Sequence, residues 1–364
     1  MKTIAIIGTV GIPSNYGGFE TLAENLVRYH HAAALPGRLL VYCSAQQYRD
    51  QPASYLGAQL RYVKFDANGI SSIFYDIVSL FSAVRQRCDV ILLLGVSGAL
   101  VLPLVRLVST CRIVTNIDGI EWKRQKWKGA ARWFLRLSER IAVHFSHEVI
   151  ADNEGIARYV VETYGRKSQL IAYGGDHAIA VEGKPYNGAC LPDHYALALC
   201  RIEPENNVTM ILKAYALRPS MSLVFVGNWN NSAFGRELRQ RFACRSNLHL
   251  LDPIYDLGVL RTLRENASTY VHGHSAGGTN PSLVEMMHFG IPILAYDCIF
   301  NQYTTDGKAL WFADIESICT NLDYLVSDTA TKVGGDMLRI AQERYRWSVI
   351  GQTYFNLLLS DKQQ

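Results

Sequence analysis

Long hydrophobic runs are scarce in this sequence. The longest, Val90–Val105, is broken by two glycines and a proline. It is also shorter than the roughly 20 apolar residues that span a bilayer. The eight cysteines are dispersed, and none forms a CxxC pair. Closely spaced cysteine pairs mark disulfide frameworks and zinc sites, so their absence favours reduced thiols and a cytoplasmic location.

Several motifs of enzyme chemistry are missing as well. The sequence has no Walker loop, no GxSxG nucleophile elbow, no Asp-x-Asp pair and no GxGxxG dinucleotide fingerprint. Hydrolases and NTPases are therefore disfavoured. His272 and His274 form a His-x-His pair, but no further ligand follows at a metal-binding spacing. We therefore expect no metal ion and no cofactor.

Charge is unevenly distributed along the chain. The formal net charge is +4, and the basic surplus lies in residues 1–180, whereas the rest of the chain is slightly acidic. This asymmetry predicts an anionic partner for the first half. The sequence has no basic tail, zinc finger or RNA-binding signature, so nucleic acid is not the expected partner.

Basic and aromatic residues alternate in the segment EWKRQKWKGAARWFLRLSER, which begins at Glu121. Tryptophan among lysines and arginines suits the headgroup layer of an anionic membrane. The helical spacing of Trp133, Phe134 and Leu137 instead predicts a solvated helix whose apolar stripe faces the core. We expect the membrane contact at Lys123–Lys128 and the buried stripe in the helix that follows.

Short apolar segments alternate with helical patterns in two successive series. The first series predicts strands at Thr3–Ile7, Leu39–Cys43, Arg61–Phe65, Val90–Leu94, Arg112–Asn116, Glu148–Ala151 and Gln169–Ile171. The second predicts strands at Tyr195–Leu199, Ser222–Val226, Leu248–Leu251, Tyr270–His272 and Ile291–Ala295. Such alternation predicts two α/β domains with parallel, doubly wound sheets, joined by the irregular stretch 173–193. Ligands of such sheets bind at the carboxyl ends of the strands.

The stretch from Val271 to Tyr296 predicts a strand, a glycine-rich loop, a helix and a second strand. Asn280 suits a helix N-cap, and the proline after it suits the first turn. The loop therefore leads into a helix N-terminus, where free N–H groups and the helix dipole favour an anion. Glu285, about one turn inside the helix, is placed to bind a sugar hydroxyl. An ordinary loop-to-helix junction is the alternative.

Other loops at predicted strand ends carry further candidates. Gly17 and Gly18 precede a helix and predict a second anion site, with a flexible turn as the alternative. Asp118 suits a proton acceptor or a hydroxyl ligand, and equally a turn or cap aspartate. Arg201 suits a bidentate phosphate contact, and equally an ordinary surface position. Gly227 allows close approach of a ligand, or simply a turn.

Several segments together resemble one family. They are IAIIGTVGIPSNYGGFETLAENL, TNIDGIEWKR, AYGGDH, CRIEPENN, VGNW, HGHSAGGTNPSLVEMMHFGIPILAYD and RYRWSVIGQTYFNLL. In this combination, which covers nearly the whole chain, the sequence resembles the retaining GT-B glycosyltransferases of family four. Within them it resembles the rhamnosyltransferase-type branch of bacterial surface-polysaccharide synthesis. The resemblance implies two facing, doubly wound Rossmann-like domains and a C-terminal helix that crosses back to the first.

The resemblance also implies a role for each domain and for single residues. Residues 1–176 would bind the acceptor, residues 190–340 the nucleotide-sugar, and residues 341–364 would form the returning helix. Implied donor-binding residues are Gly17, Gly18, Arg201, Asn206, Gly227, His274, Gly278, Thr279, Asn280, Ser282 and Glu285. Implied acceptor-binding residues are Tyr16, Glu20 and Asp118. Implied catalytic residues are Asp118, Glu285 and Arg201, with Glu285 on the ribose and Arg201 on the diphosphate.

The sequence departs from the family pattern at a glutamate. The family carries two glutamates eight positions apart, and counting back from Glu285 gives Gly277 in place of the first. His274, Thr279 or Asn280 would then replace its contacts to the transferred sugar.

A second departure concerns positive charge. The family places a lysine a few residues after the phosphate arginine, where this sequence reads Glu205-Asn206-Asn207. The resemblance then leaves the diphosphate to Arg201 and backbone amides.

We therefore expect a cytoplasmic glycosyltransferase that is peripheral at the inner face of the cell membrane. It would transfer L-rhamnose from dTDP-rhamnose, with retention, onto a polyprenyl-diphosphate-linked glycan in surface-polysaccharide, O-antigen or capsule assembly. One alternative is the same fold with a UDP- or GDP-hexose donor. The others are a GT-B nucleotide-sugar epimerase and a non-catalytic scaffold that binds a nucleotide-sugar.

Overall fold

A computed structural model describes residues 1–14, 17–124, 127–325 and 328–360 of the chain. The chain forms two compact units. The first unit contains Met1–Ala172 and Trp347–Gln364, and the second contains Tyr173–Arg346. Among the described residues, no helix is both long enough and apolar enough to cross a membrane.

The first part of the chain alternates strands and helices. Its elements are β1 (Thr3–Ile7), α1 (Gly18–Ala32), β2 (Arg38–Ser44), β3 (Ser54–Tyr55), β4 (Ala58–Val63), α2 (Ser71–Arg85), β5 (Val90–Leu94), α3 (Leu102–Val108), β6 (Arg112–Asn116), α4 (Gly129–Phe145), β7 (Glu148–Ala151), α5 (Glu154–Tyr164) and β8 (Gln169–Leu170).

The alternation continues in the second unit. Its elements are α6 (His177–Ala180), β9 (Ala196–Leu199), α7 (Val208–Ala216), β10 (Leu223–Val226), α8 (Ala233–Phe242), β11 (Leu248–Leu251), α9 (Leu257–Glu265), β12 (Thr269–His272), α10 (Pro281–Met287), β13 (Ile293–Tyr296), α11 (Ile299–Thr304), β14 (Leu310–Phe312), α12 (Ile315–Tyr324) and α13 (Asp328–Arg344). The last helix, α14 (Trp347–Leu359), belongs to the first unit.

The sheet of the first unit has the strand order β3-β4-β2-β1-β5-β6-β7-β8. Neighbouring strands are parallel except for the short β3, which is antiparallel to β4. In the central strand β1, Ala5 lies opposite Leu40 of β2 and Ile91 of β5. Residues 4–7 are fully buried, as expected for a parallel strand covered on both faces. The strand order reverses between β1 and β5.

The last helix returns to pack on α1. Phe355 stacks on the Tyr29 ring with the centroids 6.1 Å apart, and Gly351 lies so close to that ring that a Cβ would collide with it. Lys2 Nζ donates to the carbonyl of Leu359 at 2.6 Å, at the end of the helix. The expected return of the C-terminal helix is confirmed.

The sheet of the second unit has the order β11-β10-β9-β12-β13-β14, and all neighbouring strands are parallel. Leu197 of β9 lies opposite Tyr270 of β12. The core beside this sheet includes Phe225, Trp229 and Phe312, which are almost fully buried. The strand order reverses between β9 and β12, so this pair marks the topological switch point of the unit.

The predicted alternation of strands and helices is confirmed in both units. The predicted buried stripe of α4 is only partly present, because Phe134, Leu137 and Ile141 are half-buried and Trp133 is not covered. Trp133 is 67% exposed instead of facing the core. The helix instead buries Ser138, Glu139, Ala142 and Val143. Glu139 Oε1 accepts hydrogen bonds from Tyr159 at 2.6 Å and Tyr164 at 2.7 Å. A buried polar network therefore anchors this helix, and the helical spacing of the aromatic residues did not reveal it.

Candidate functional site

Two loops lie at the carboxyl end of the second unit's sheet, at the switch point. They are residues 200–207, after β9, and residues 273–280, after β12. The crevice outside such a point is the usual ligand site of an open α/β sheet. The candidate site of the second unit is therefore built on these two loops.

Hydrogen bonds join the two loops directly. Asn206 Nδ2 donates to the carbonyl of Arg201 at 2.7 Å, and Asn206 Oδ1 lies 2.7 Å from Nδ1 of His274. Ser275 donates to the carbonyl of Glu205 from its N–H at 3.1 Å and from its hydroxyl at 2.7 Å. Amide, imidazole and hydroxyl groups therefore fix one loop against the other.

Gly227 has a packing role beside these loops. A Cβ at this position would collide with the Ile202 side chain and lie 2.8 Å from the carbonyl oxygen of Cys200. The next residue, Asn228, accepts a hydrogen bond from the N–H of Ile202 at 2.7 Å. The turn after β10 thus supports the loop after β9, which explains the glycine whether or not a ligand approaches it.

The N-terminus of α10 has the predicted form. Asn280 is the N-cap, and its Oδ1 accepts from the N–H of Ser282 at 3.1 Å and from the Ser282 hydroxyl at 2.7 Å. Pro281 is the first helical residue. The Ser282 hydroxyl in turn accepts from the hydroxyl of Tyr270 at 3.0 Å. The predicted cap is confirmed, and the side chains of Asn280 and Ser282 stabilise the helix start.

Gly277 lies where the resemblance places a glutamate. Its φ is +109°, a conformation that residues with a side chain rarely adopt. A Cβ there would lie 3.2 Å from Nε2 of His274. The imidazole of His274 therefore stands beside the place of the missing side chain, whereas Asn280 is engaged as the helix cap.

Glu285 is held by two side chains. Its Oε2 pairs with the guanidinium of Arg264 in α9, and its Oε1 lies 3.3 Å from Nε2 of His177 in α6. Burial by itself favours the neutral acid. The charge of Arg264 and the His177 contact outweigh burial, so the pKa of Glu285 is lower than usual. Glu285 is therefore an ionised, oriented carboxylate, and such a group can accept further hydrogen bonds.

Sequence reasoning missed both partners of Glu285. A signal for His177 existed in the motif AYGGDH, because a Cβ at Gly175 would lie 2.6 Å from the carbonyl oxygen of Val284. The glycine lets the segment before α6 run directly against α10. Arg264 gave no such signal, since it is one basic residue in the last turn of α9.

Three aromatic rings follow one another along β12 and the loop after it. The centroids of Tyr270 and His272 are 5.8 Å apart, and those of His272 and His274 are 6.0 Å apart. Burial lowers the pKa of His272 to about 3, so this imidazole is neutral near pH 7. Within the described ranges, its buried Nε2 has no hydrogen-bond partner. The described residues also contain no His, Cys, Asp and Glu cluster that could hold a metal ion.

The loop after β9 carries charges of both signs. The guanidinium of Arg201 is partly exposed and lies 3.8 Å from the carboxylate of Glu203. Glu205 is only 7% exposed, and its buried Oε1 has no hydrogen-bond partner in the described part of the chain. A buried polar atom without a partner costs about 1–3 kcal/mol. Arg201 suits a ligand phosphate, and Glu205 leaves an acceptor for a ligand hydroxyl or N–H group.

The loop after β1 in the first unit is closed by its own carboxyl groups. Glu20 Oε1 accepts from the Thr9 hydroxyl at 3.2 Å and from the N–H of Val10 at 2.7 Å. Glu24 Oε2 accepts from the N–H and the hydroxyl of Ser14, both at 2.6 Å. Burial raises the pKa of Glu20 although these hydrogen bonds oppose the shift. Glu20, predicted to bind the acceptor, is thus turned inward and braces the loop.

Gly17 and Gly18 stand at the start of α1, as predicted. Gly17 has a φ of +128°, and a Cβ there would collide with the carboxylate of Glu20. The inward position of Glu20 therefore requires this glycine. Tyr16, also predicted to bind the acceptor, lies outside the described residues.

Asp118 is presented by a turn after β6. Its side chain is exposed, its φ is +60°, and its N–H donates to Oδ1 of Asn116 at 2.9 Å. Asn116 Nδ2 donates to the hydroxyl of Tyr354 in α14 at 2.8 Å. The returning helix thus braces the turn that presents Asp118. Sequence reasoning missed Asn116, since its partner is far away in the chain.

Each sheet gathers its own set of predicted residues. In the second unit, the loops at the carboxyl end carry Arg201, Asn206, Gly227, His274, Gly278, Thr279, Asn280, Ser282 and Glu285. In the first unit, the segments after β1 and β6 carry Gly17, Gly18, Glu20 and Asp118. Both sets therefore lie where doubly wound sheets bind ligands.

One protein family and several solved structures are similar to this chain. Residues 1–176 match the family described as "Domain of unknown function (DUF1972)". No curated protein sequence matches the chain. The structure of sucrose-phosphate synthase from Thermosynechococcus elongatus is similar with a TM-score of 0.77 and 14% identity, over 98% of both chains.

A second solved structure is similar over nearly the full length of both chains. HepE of Anabaena, in complex with UDP-glucose, has a TM-score of 0.71 and 14% identity over 99% of this chain and 100% of its own. The fold is GT-B. This GT-B chain is also similar to a putative UDP-N-acetylglucosamine 2-epimerase from Listeria monocytogenes. There the TM-score is 0.63 and the identity 12%, over 99% of this chain and 97% of that one.

Proposed function

We propose that the protein is a glycosyltransferase that uses a nucleotide-diphosphate sugar. The proposed reaction moves L-rhamnose from dTDP-rhamnose, with retention, to a hydroxyl group of a polyprenyl-diphosphate-linked glycan. The proposed setting is the cytoplasmic face of the cell membrane, in the assembly of a surface polysaccharide such as O-antigen or capsule.

One observation carries this proposal: an ionised Glu285 is held in α10, whose N-terminus follows a loop at the switch point. A nucleotide-diphosphate sugar needs a positive environment for its phosphates and an acceptor for its ribose hydroxyls. Arg201 and the backbone N–H groups of the loop at 278–280 supply the first. Glu285 supplies the second. HepE, which shares the fold, binds UDP-glucose in its own structure.

In the proposed mechanism the protein stabilises the leaving diphosphate. The bond between the anomeric carbon and the phosphate oxygen breaks, and Arg201 and the backbone N–H groups at 278–280 take up the developing negative charge. The acceptor oxygen attacks from the same face, and the leaving phosphate oxygen takes its proton. Orientation and electrostatics supply the acceleration, so the proposal needs neither a metal ion nor a cofactor.

The proposal also assigns the sugar and the acceptor. The transferred sugar would contact His274, whose ring replaces the side chain missing at Gly277. Residues 1–176 would bind the acceptor, with the exposed Asp118 beside the reacting hydroxyl. Residues 190–340 would bind the donor, and residues 341–364 support the first domain.

Further donor, acceptor and membrane contacts are part of the proposal. Donor contacts are proposed for Gly17, Gly18, Asn206, Gly227, Thr279, Asn280 and Ser282. An acceptor contact is proposed for Tyr16, whereas Glu20, predicted as a second contact, is proposed to act through the loop that it braces. The proposed peripheral membrane contact lies at Lys123–Lys128. Lys123 of this segment also lies over the Tyr159 ring, 5.2 Å from its centroid.

A second candidate function is nucleotide-sugar epimerisation, which the similarity to the putative epimerase from Listeria monocytogenes favours. An epimerase would use the same phosphate and ribose contacts. It would release free sugar without an acceptor, so the products distinguish the two reactions.

The test is thermal unfolding of the purified protein with dTDP-, UDP- and GDP-sugars. A true donor raises Tm in proportion to its affinity, and dTDP-rhamnose should have the largest effect. Glu285→Ala should remove this shift, whereas Glu265→Ala, at the end of α9, should keep it. Indifference to dTDP-rhamnose at millimolar levels would remove the rhamnose assignment, and indifference to every nucleotide-sugar would remove the function.

Transfer itself is measured as radiolabelled sugar appearing in a lipid extract that contains the acceptor. Label in the lipid fraction supports transfer, and free sugar formed without acceptor supports epimerisation. Activity should survive a chelator; its loss would contradict the metal-free mechanism.

A further inference from the structure

The outward face of α2 is apolar. Ile70, just before the helix, is 79% exposed, and Phe74 and Val78 follow at intervals of four residues with large exposed areas. The stretch from Ile70 to Val84 contains one charged residue, Asp76, and this side chain is buried. A surface helix normally turns polar and charged residues outward. This face therefore has the composition of a contact surface.

The neighbouring helix α3 continues the apolar surface. Leu107 is 83% exposed, and Leu104 and Val108 are also exposed. Both helices follow right-handed crossovers in the same direction along the sheet, so they lie on the same side of it. Val84 of α2 and Leu107 and Val108 of α3 line one open depression of about 900 Å³. The end of α2 and the exposed side chains of α3 thus meet at this depression. We call the exposed apolar side chains of the two helices the α2–α3 face; they are Ile70, Phe74, Val78, Leu104, Leu107 and Val108.

Positive charge borders this face. Arg85 ends α2, Arg87 follows it, and Arg106 lies between the exposed leucines of α3. Across the described ranges, none of these three guanidinium groups has a carboxylate or hydrogen-bond partner. The exposed carboxylate of Asp89, which lines the same depression as Arg87 and Arg106, accepts the N–H of Thr3 at 2.7 Å. Unpaired arginines around apolar side chains match an anionic lipid surface.

We propose that the α2–α3 face docks the protein on an anionic lipid bilayer. Ile70, Phe74, Val78 and Leu107 would enter the acyl boundary, and Arg85, Arg87 and Arg106 would contact lipid phosphates. The inference rests on the proposed function in one respect, because a lipid-linked acceptor requires the enzyme at the membrane. It adds a docking surface that is separate in sequence from Lys123–Lys128.

The test is co-sedimentation of the full chain with lipid vesicles. The chain should bind vesicles of phosphatidylcholine mixed with phosphatidylglycerol, and bind phosphatidylcholine alone much more weakly. Binding should fall with added salt because the arginine contacts are screened. Failure to bind the mixed vesicles, or equal binding to both compositions, would overturn the inference.

Variants locate the contact. The double variant Ile70→Ser/Phe74→Ser should lower the vesicle partition coefficient on the order of tenfold, because two apolar side chains lose their burial. Arg106→Gln should lower it about fivefold, as one cation contributes about 1 kcal/mol at an anionic surface. Val161→Ser and Leu217→Ser, at exposed apolar positions elsewhere, are matched controls and should bind like the parent chain. Equal losses in the controls would overturn the assignment of the face.

Two further readouts separate the outcomes. Sedimentation velocity should give the same species for the parent chain and Phe74→Ser. A dimer that dissociates in Phe74→Ser would show that a second copy covers the face, and would overturn the lipid proposal. The thermal shift with nucleotide-sugar should be unchanged in the face variants. A parent chain that binds vesicles without any nucleotide-sugar shift would contradict the proposed function and leave the docking surface standing.

Discussion

The loops that follow the central strands of the two sheets are built from different chemical groups. After β1, the carboxyl groups of Glu20 and Glu24 accept the N–H groups of the loop. After β9 and β12, the side-chain amide of Asn206 instead donates to the carbonyl of Arg201, and its oxygen bonds to the imidazole of His274. One loop is thus braced by carboxyl groups, and the other two are braced by an amide and an imidazole.

This difference bears on where a diphosphate can bind. Acidic groups close to a phosphate would repel it, and the N–H groups that they occupy are no longer available to it. Amides and imidazoles carry no negative charge and impose no such penalty, and Arg201 adds positive charge to the loops of the second unit. The comparison favours the donor phosphates in the second unit and leaves the uncharged hydroxyls of an acceptor to the first. Four substitutions test it, from the largest expected effect to the smallest.

Arg264→Met removes the guanidinium group that pairs with the carboxylate of Glu285. The free energy of unfolding should fall by about 3–5 kcal/mol, because Glu285 would be left buried with His177 as its remaining partner. Urea denaturation measures this change. The double variant Arg264→Met/Glu285→Met should recover most of the stability without restoring donor binding. If Arg264→Met lowers the free energy of unfolding by about 1 kcal/mol or less, the Arg264–Glu285 pair contributes no more than a solvent-exposed ion pair.

His272→Phe tests the neutral imidazole. The pKa of His272 is about 3 in the folded chain and about 6.5 in the unfolded chain. Below about pH 6.5 the unfolded chain therefore binds a proton that the folded chain does not. The free energy of unfolding falls for this reason as the pH drops from about 6.5 toward 3. Between pH 8 and pH 5 the parent chain should lose about 2 kcal/mol that the variant keeps. Urea denaturation at both pH values measures the difference. His272→Asn, which does not titrate, should behave like the phenylalanine variant, and parallel pH profiles would contradict the buried neutral state.

Glu20→Ala tests the brace of the first unit. Removing the acceptor for Val10 should cost about 1–2 kcal/mol, because a buried N–H group is left without a partner. Glu20→Gln should cost less, since an amide oxygen can accept the same bond. Both values come from urea denaturation. The nucleotide-sugar shift should be kept in both, because the donor contacts proposed for this loop are made by Gly17 and Gly18. Loss of the shift in Glu20→Gln would mean that the carboxyl group of Glu20 itself contacts the donor.

Glu205→Gln tests a buried carboxyl group in the loop after β9, where the bracing side chains are otherwise an amide and an imidazole. The buried Oε1 of Glu205 has no hydrogen-bond partner in the described part of the chain. Because an amide is less costly to bury than a carboxyl group, the variant should have a free energy of unfolding about 1 kcal/mol higher. The same change should weaken donor binding if Glu205 accepts a bond from the ligand. Thermal unfolding with and without nucleotide-sugar measures both effects. Glu237→Gln, at an exposed position of α8, is the control and should change neither by as much. A destabilised Glu205→Gln would indicate a purely structural role.

Local patterns predicted much of the fold and part of the candidate site. The spacing and length of the apolar segments located the strands. The sequence Asn280-Pro281 located the start of α10, because a helix cap depends on neighbouring residues alone. The glycines at 17 and 277 marked positions where the backbone adopts positive φ. The exposed apolar face of α2 was not predicted, because residue type does not say which side of a helix is covered.

The sequence by itself determined two doubly wound sheets and the loops at their carboxyl ends, since these depend on short-range periodicity and turn chemistry. The tertiary structure decided which side chains meet there. Arg264 is 21 residues from Glu285, and Asn116 is 238 residues from Tyr354. Such pairs form because the crossovers of each sheet, and the return of the last helix, bring distant segments together. No local pattern records these distances, so the charge state of Glu285 and the brace of Asp118 appear only in the folded chain.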